Sequence, residues 1–235
     1  MDSGAILAVL PTWEGPLKRM LWDQLGSLAG LRVLDFGSGT GATAAHLARA
    51  NEVVAVEPHA AMIDPRWAGG FAQVIGGVEQ VAAMPEAGFD AVLCHNVLEY
   101  VEDKPQVLRA LVRVLRPGGM LSVVKHNRPG RVMQMAVLLN DFDHANELLD
   151  GKDGTASQFG VVRYYEDADI LRWCPGLRVT RLWGLRTFWD LQQNQDVQRQ
   201  AEWQGRMLAL EARAAALPEY QAVAFFHHLL MRKEP

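Results

Sequence analysis

Between residues 31 and 127, short runs of apolar, often β-branched residues alternate with segments whose apolar positions recur at helical spacing. Leu31-Arg32-Val33-Leu34-Asp35-Phe36 reads as a buried strand, and the glycine-rich stretch after it opens a helix through His46 and Ala50. Residues 52–57 form a second strand, stopped by Pro58; residues 73–76 form a shorter third and residues 89–95 a fourth. Asp103 is a suitable N-cap for a helix reaching Leu115, since its carboxylate can accept from the first free amides. Arg116-Pro117-Gly118-Gly119 breaks that helix, and residues 120–124 make a fifth strand. Strands alternating with helices imply a doubly wound, mostly parallel α/β sheet, covered on both faces and joined by right-handed crossovers.

The second half is less regular. Residues 131–149 have helical spacing, and residues 150–155 read as a loop. A helix over 166–173 ends at Pro175-Gly176, followed by a strand over 177–182. Residues 196–217 suggest one long helix closed by Pro218, and residues 222–230 a last strand. Nothing repeats, and no segment is of low complexity.

Composition narrows the class. The chain has 235 residues, 49% apolar and 21% charged, which is ample for a core. Cys94 and Cys174 stand far apart with no CxxC spacing, so reduced structural thiols and no metal site are expected. No stretch approaches the roughly 18–20 apolar residues of a membrane span. The opening Met1-Asp2-Ser3-Gly4 lacks the basic start of a secretory signal, so a cytoplasmic protein is expected. A net charge of -4 gives no global pull on nucleic acid; RNA would have to meet a local basic patch.

The candidate chemistry begins at Gly37-Ser38-Gly39-Thr40-Gly41, on the carboxyl end of the first strand, where doubly wound sheets bind ligands. Glycines let the backbone turn tightly and a ligand approach without a Cβ in the way. A dinucleotide loop spaces its glycines GxGxxG; here the third arrives one position early, which suits a nucleoside without a pyrophosphate. Glu57, ending the second strand, can accept from ribose hydroxyls and would repel a 2′-phosphate. A plain strand–helix turn with Glu57 as a solvated cap is the competing reading, and the ordered context of strand, loop, helix, strand and acid weighs against it. Gln80 and Val81 follow the third strand, where they could bond the adenine amino group and pack on its ring. His95-Asn96 follows the fourth and faces the same crevice, as a ligand neighbour or as a structural residue.

Val33-Leu34-Asp35-Phe36-Gly37-Ser38-Gly39-Thr40-Gly41, Glu57, His95-Asn96-Val97-Leu98-Glu99-Tyr100-Val101 and Leu115-Arg116-Pro117-Gly118-Gly119 resemble, in order, the motifs of class I S-adenosylmethionine-dependent methyltransferases. The resemblance covers residues 31–126 and implies a seven-stranded, Rossmann-like sheet with S-adenosyl-L-methionine as cofactor. It implies that Asp35 supports the loop near the methionine amino group and that Gly37, Ser38, Gly39 and Gly41 form the loop itself. Glu57 then takes the ribose, Gln80 and Val81 border the adenine, and His95 lies beside the methionine portion. The whole of 1–235 is expected to be one domain, with 31–126 the cofactor core and 128–217 helical additions on the acceptor side.

The chain is also similar to the bacterial family that esterifies 5-carboxymethoxyuridine at the wobble position of transfer RNA. The carriers are residues 95–100, Asn127, Gly130, Met133, Asn140, Phe142-Asp143, Arg186-Thr187-Phe188-Trp189-Asp190, Leu210-Glu211 and Phe226-His227. It departs from that family's pattern at Trp189, where histidine is expected, and near Leu17, where arginine is expected and Lys18 and Arg19 stand instead. A carboxylate acceptor is ionised at pH 7 and needs a cation to hold it rather than a base. Arg186 is the candidate clamp, unless it is spent on Asp190. Lys125, Arg128, Arg131, Arg163, Tyr164 and Tyr165 could meet RNA phosphates and a splayed base, or form an ordinary surface over core tyrosines. Trp183, Trp189 and Trp203 read as core. The alternatives are a methyltransferase for a small-molecule acceptor enclosed by 128–217, and a non-catalytic regulator that keeps the fold and binds a partner protein.

Overall fold

The computed structural model describes residues 3–11, 14–156 and 160–235. The opening Met1-Asp2 pair, part of the reading of the leader, lies outside them. Two helices precede the sheet, α1 (Ser3–Ala8) and α2 (Glu14–Leu25), and the sequence reading missed both. The Rossmann-like half follows as β1 (Arg32–Phe36), α3 (Ala42–Leu47), β2 (Glu52–Glu57), β3 (Ala72–Ile75), α4 (Val78–Ala82), β4 (Phe89–His95), α5 (Lys104–Val114) and β5 (Leu115–His126). The second half contains α6 (Arg128–Met133), a π-helical stretch (Gln134–Leu139), α7 (Phe142–Leu149) and a hairpin of β6 (Gly154–Ala156) with β7 (Gly160–Val162). It closes with α8 (Asp167–Trp173), β8 (Leu177–Leu185), α9 (Gln195–Gln198), α10 (Ala201–Ala214), α11 (Pro218–Gln221) and β9 (Phe226–Lys233).

Seven strands form one sheet in the order β3-β2-β1-β4-β5-β9-β8, parallel through β5 and antiparallel where β9 meets β5 and β8. Each inner strand is buried on both faces, as its apolar run requires. Leu34, Val92 and Cys94 pack with Leu108, Leu111 and Ile170 of α5 and α8. Val33, Ala91 and Leu93 face Ile6, Trp22 and Leu47 of α1, α2 and α3. Each leucine, isoleucine or valine among them contributes about 1.5–3 kcal/mol by leaving water.

Local chemistry accounts for most boundaries. Asp103 caps α5, accepting from Gln106 N–H at 2.8 Å, and Val107, Leu108, Leu111 and Val114 bury its inner face. Residues 116–119 bulge out of β5 between the pairs Phe89–Leu115 and Ala91–Met120, so the expected break becomes an interruption within one strand. The expected helix over 131–149 is divided at Asn140, which is left-handed (φ 54°), and Asp141 caps α7 through His144 N–H at 3.0 Å. Residues expected as loop at 154–155 belong to the hairpin. The long helix expected over 196–217 is two helices, parted at the extended Gln200. The last strand starts at Phe226 rather than 222. The Asn127 side-chain amide donates to the carbonyls of Ala222 (3.1 Å) and Ala224 (2.9 Å) and holds that segment in a turn.

Candidate active site

β1 lies between β2 and β4, and the chain leaves their carboxyl ends at the sheet's topological switch point. Gly37, Gly39 and Gly41 are all left-handed there, with φ of 73°, 57° and 91°, a conformation that costs a residue with a Cβ. A Cβ on Gly37 would stand 2.2 Å from Val97 Cγ2. The amides of Gly37 and Ser38 both donate to Val56 O, at 2.8 and 3.1 Å, and tie the loop to β2. The buried Glu57 carboxylate accepts from Gly39 N–H (2.9 Å) and His59 N–H (3.0 Å), so the acid fixes the loop's shape. Each of its oxygens keeps a further lone pair for a ligand.

Phe36 pairs with Cys94, so Gly37-Ser38 and His95-Asn96 leave adjoining strands side by side. Around them Asp35 Oδ2, Ser38 Oγ, His95 Nδ1 and Asn96 Oδ1 are buried without a hydrogen-bond partner in the protein. Buried polar atoms are nearly always paired, so this set calls for a polar ligand or ordered water. Burial pushes the Asp35 carboxyl up to about 6, opposed by the charge of Lys18. Lys18 reaches the site from α2 and donates to Thr43 Oγ1 at 3.0 Å. His95 is neutral: burial drives its pKa well below the usual histidine range. Its Nε2 bonds Ser122 Oγ (2.8 Å), which bonds His228 Nε2 (2.9 Å), whose Nδ1 bonds Gln24 Oε1 (2.7 Å).

A second group adjoins the crevice. His126 ends β5, Phe226 begins β9 opposite it, and Leu185 of β8 pairs with Phe226, which sets Arg186 on the same edge of the sheet. The His126 ring lies 5.3 Å from Phe225 and 4.8 Å from Phe226. Burial, then the charges of Arg131, Arg186 and Lys125, lower the His126 pKa to about 3. Arg186 is left-handed (φ 58°), stands over the Phe225 ring at 5.3 Å and is ion-paired with Asp190. Glu211 of α10 holds this loop by accepting the amides of Thr187 (2.9 Å), Phe188 (2.8 Å) and Trp189 (2.9 Å).

An adenosyl sulfonium with an amino-acid tail offers hydroxyls, an ammonium and a carboxylate, and so fits this loop, acid and set of orphaned atoms. A family model for a methyltransferase domain matches residues 34–123. The S-adenosylmethionine-dependent methyltransferase of Mesorhizobium loti shares the fold, with a TM-score of 0.58 at 17% identity over 97% of this chain and 100% of that one. The chain belongs to the class I methyltransferases that use S-adenosylmethionine as methyl donor. Among individual proteins it is similar to the tRNA 5-carboxymethoxyuridine methyltransferase of Escherichia coli (strain K12), 30% identical over 240 residues that cover 94% of this chain and 90% of the relative. The ubiquinone biosynthesis O-methyltransferase of Xanthomonas oryzae pv. oryzae (strain PXO99A) is 36% identical over 118 residues, 47% of this chain and 49% of its own.

The structure gathers Asp35, Gly37, Ser38, Gly39, Gly41, Glu57 and His95 at one crevice. Gln80 is exposed on α4, its Cγ beside Gly76 at the end of β3. Val81 differs from expectation: the residue is fully buried in the core, because α4 turns that face toward the sheet, and its carbonyl accepts from Arg113 at 3.0 Å. Lys125 is buried against Asp167 (3.0 Å) and over the buried Tyr165 ring, which removes both from an RNA surface. Arg128 donates to Lys152 O (2.6 Å) and stands over Tyr164. Trp189 packs on Trp203, as core tryptophans do. The sequence reading did not name His126, and it named Lys18 only as standing where the family has arginine. The helical spacing of Leu17, Met20, Leu21 and Leu25 is the signal that flags α2.

Proposed function

We propose that this methyltransferase acts in the cytoplasm and esterifies the carboxylate of 5-carboxymethoxyuridine in transfer RNA. Residues 31–126 would bind the cofactor, and 128–217 the acceptor. The observation that carries the reading is the basic, aromatic-walled group of His126, Arg131, Arg186 and Phe225 one step along the sheet edge from the cofactor crevice. Val124 pairs with His95 and His126 lies two residues further, roughly 7 Å at the rise of a strand. Likeness to the Escherichia coli enzyme along nearly the whole chain, rather than its first half, adds support.

The chemistry suits the residues. S-adenosylmethionine supplies an electrophilic methyl group whose transfer leaves the bonding pair on sulfur. The acceptor carboxylate forms the new C–O bond, and no proton has to move. A base would be idle, and His126, held neutral with a pKa of about 3, is too weak to be one. The protein's part is orientation, in which Glu57 and the glycine loop fix the donor while the arginines beside His126 fix the acceptor.

The test is mass spectrometry of bulk transfer RNA from a strain lacking the gene, with methylation of that RNA by the purified protein. Loss of the esterified uridine, and its return on addition of protein and cofactor, are expected. An undiminished ester excludes the assignment. Methyl transfer to small acceptors in RNA-free assays would favour the narrower enzyme class instead.

A further inference from the structure

Resting on the carboxyl-transfer reading above, we propose that Arg131, rather than Arg186, carries the charge that binds the acceptor's carboxylate. The argument is one of charge pairing. Of the cations around His126, Lys125 is neutralised by Asp167 and Arg186 by Asp190. Arg131 pairs with no carboxylate among the described residues. Its guanidinium donates to the neutral Gln134 side chain and, at 3.5 Å, to Thr155 O on the hairpin, and stands 5.9 Å from the Phe225 ring centre.

Arg131 is also half-buried. A guanidinium taken partly out of water with only neutral hydrogen-bond partners is costly, and an arriving anion relieves that cost. The position suits the acceptor. Arg131 sits in α6, which starts two residues after His126 ends β5, and it shares the Phe225 ring with Arg186. Tyr164 and Tyr100 are neutral neighbours, and the carboxylates of Asp190, already paired with Arg186, and Asp141 act on Arg131 only through space, without an ion pair. Arg186 keeps its Nε buried and unpartnered, free to donate one hydrogen bond without adding net charge. One carboxylate oxygen held by Arg131 leaves the other directed at the methyl group. The Arg186–Asp190 pair then shapes the pocket and contributes a donor.

The probe is phenoxyacetate, an aryloxyacetate like the modified base, with phenoxyacetamide as its neutral twin. Binding of each to wild type, Arg131→Met and Arg131→Lys is measured by calorimetry in the presence of S-adenosylhomocysteine. Charge-assisted bonding predicts that wild type prefers the acid by about 10- to 100-fold. Arg131→Met should lose the preference while keeping its melting temperature and its affinity for S-adenosylhomocysteine; Arg131→Lys should keep part of it. A preference that survives Arg131→Met, or wild type that binds neither probe, overturns the proposal. Displacement of phenoxyacetate by inorganic phosphate at equal concentration also overturns it, by making Arg131 a contact for the RNA backbone. If the acid preference depends on Arg131 yet transfer RNA is never methylated, the anion site stands and the RNA assignment falls.

Discussion

Asp35 shows how one side chain reports on the ligand it awaits. It is a strand residue with one oxygen unpartnered and a carboxyl pushed by burial to about 6, so near neutrality it sits close to its own titration. A ligand ammonium favours the ionised form, so S-adenosylmethionine should bind more weakly as pH falls below about 6. One proton implies a loss approaching tenfold per pH unit. Calorimetry from pH 7.5 to 5 should show this slope in wild type and a weak, flat response in Asp35→Asn. A flat wild-type profile would separate Asp35 from the cofactor. The loop glycines, Glu57 and His95 were legible because each occupies the end of a strand whose pattern is clear in the chain. Arg131 was legible only as part of a basic stretch and His126 not at all, since what distinguishes them is who their neighbours are. Those neighbours come from β8, β9 and the hairpin, distant in sequence.

The loop after β8 depends on a single acid from another element. Glu211, on α10, receives three amides from residues 187–189. Glu211→Ala strands three donors, two of them buried, and the loss should reach about 2 kcal/mol or more in urea unfolding, at about 1 kcal/mol or more for each buried one. Glu211→Gln, which retains one acceptor oxygen, should lose less. A change below about 1 kcal/mol for the alanine variant would show that the loop holds itself. The resemblance drew attention to Leu210-Glu211, but periodicity could not indicate that an acid on a helix serves as a cap for a separate loop. The same gap explains the long helix expected over 196–217: its apolar spacing continues through Gln200, while the chain there is extended. Helix α5, by contrast, followed its pattern from cap to end because Asp103 and the buried valines and leucines are all local.

Across the whole fold, acid stability is a balance between two sets of buried groups. Burial lowers His95 well below its usual 6.5, and His126 and His228 to about 3. As pH falls from 6.5 the unfolded chain takes up protons there that the folded protein refuses, and stability drops. Burial raises Asp35 to about 6 and Glu99 to about 7, so the folded protein holds protons on them down to their usual values of 3.8 and 4.5, and stability rises over the same interval. His46 is lowered by burial as well, and Asp190 and Glu211 are raised by it, so the two sets largely offset each other and the net slope is shallow. Below about 4 the carboxyls no longer help. Asp167 is held at about 2, against its burial, by the hydrogen bond from His227 and the charge of Lys125; its contribution, present above 3.8, is lost there too. Urea unfolding against pH should therefore be shallow from 6.5 to 4.5 and steep below about 4. Glu99→Gln should add about 1.4 kcal/mol per unit to the decline on the upper limb. An unchanged slope would count against this balance.

The sequence by itself determined the alternation that builds the parallel sheet, the glycine loop at its switch point and the acid on the next strand. Each follows from the identity and spacing of residues close together in the chain, where backbone sterics and burial act locally. Only the tertiary structure decided that Val81 faces the core, that Lys18 comes to Asp35 from an N-terminal helix, and which cations are already paired. Charge neutralisation and desolvation are properties of surroundings, and here the surroundings are assembled from strands and helices far apart in sequence.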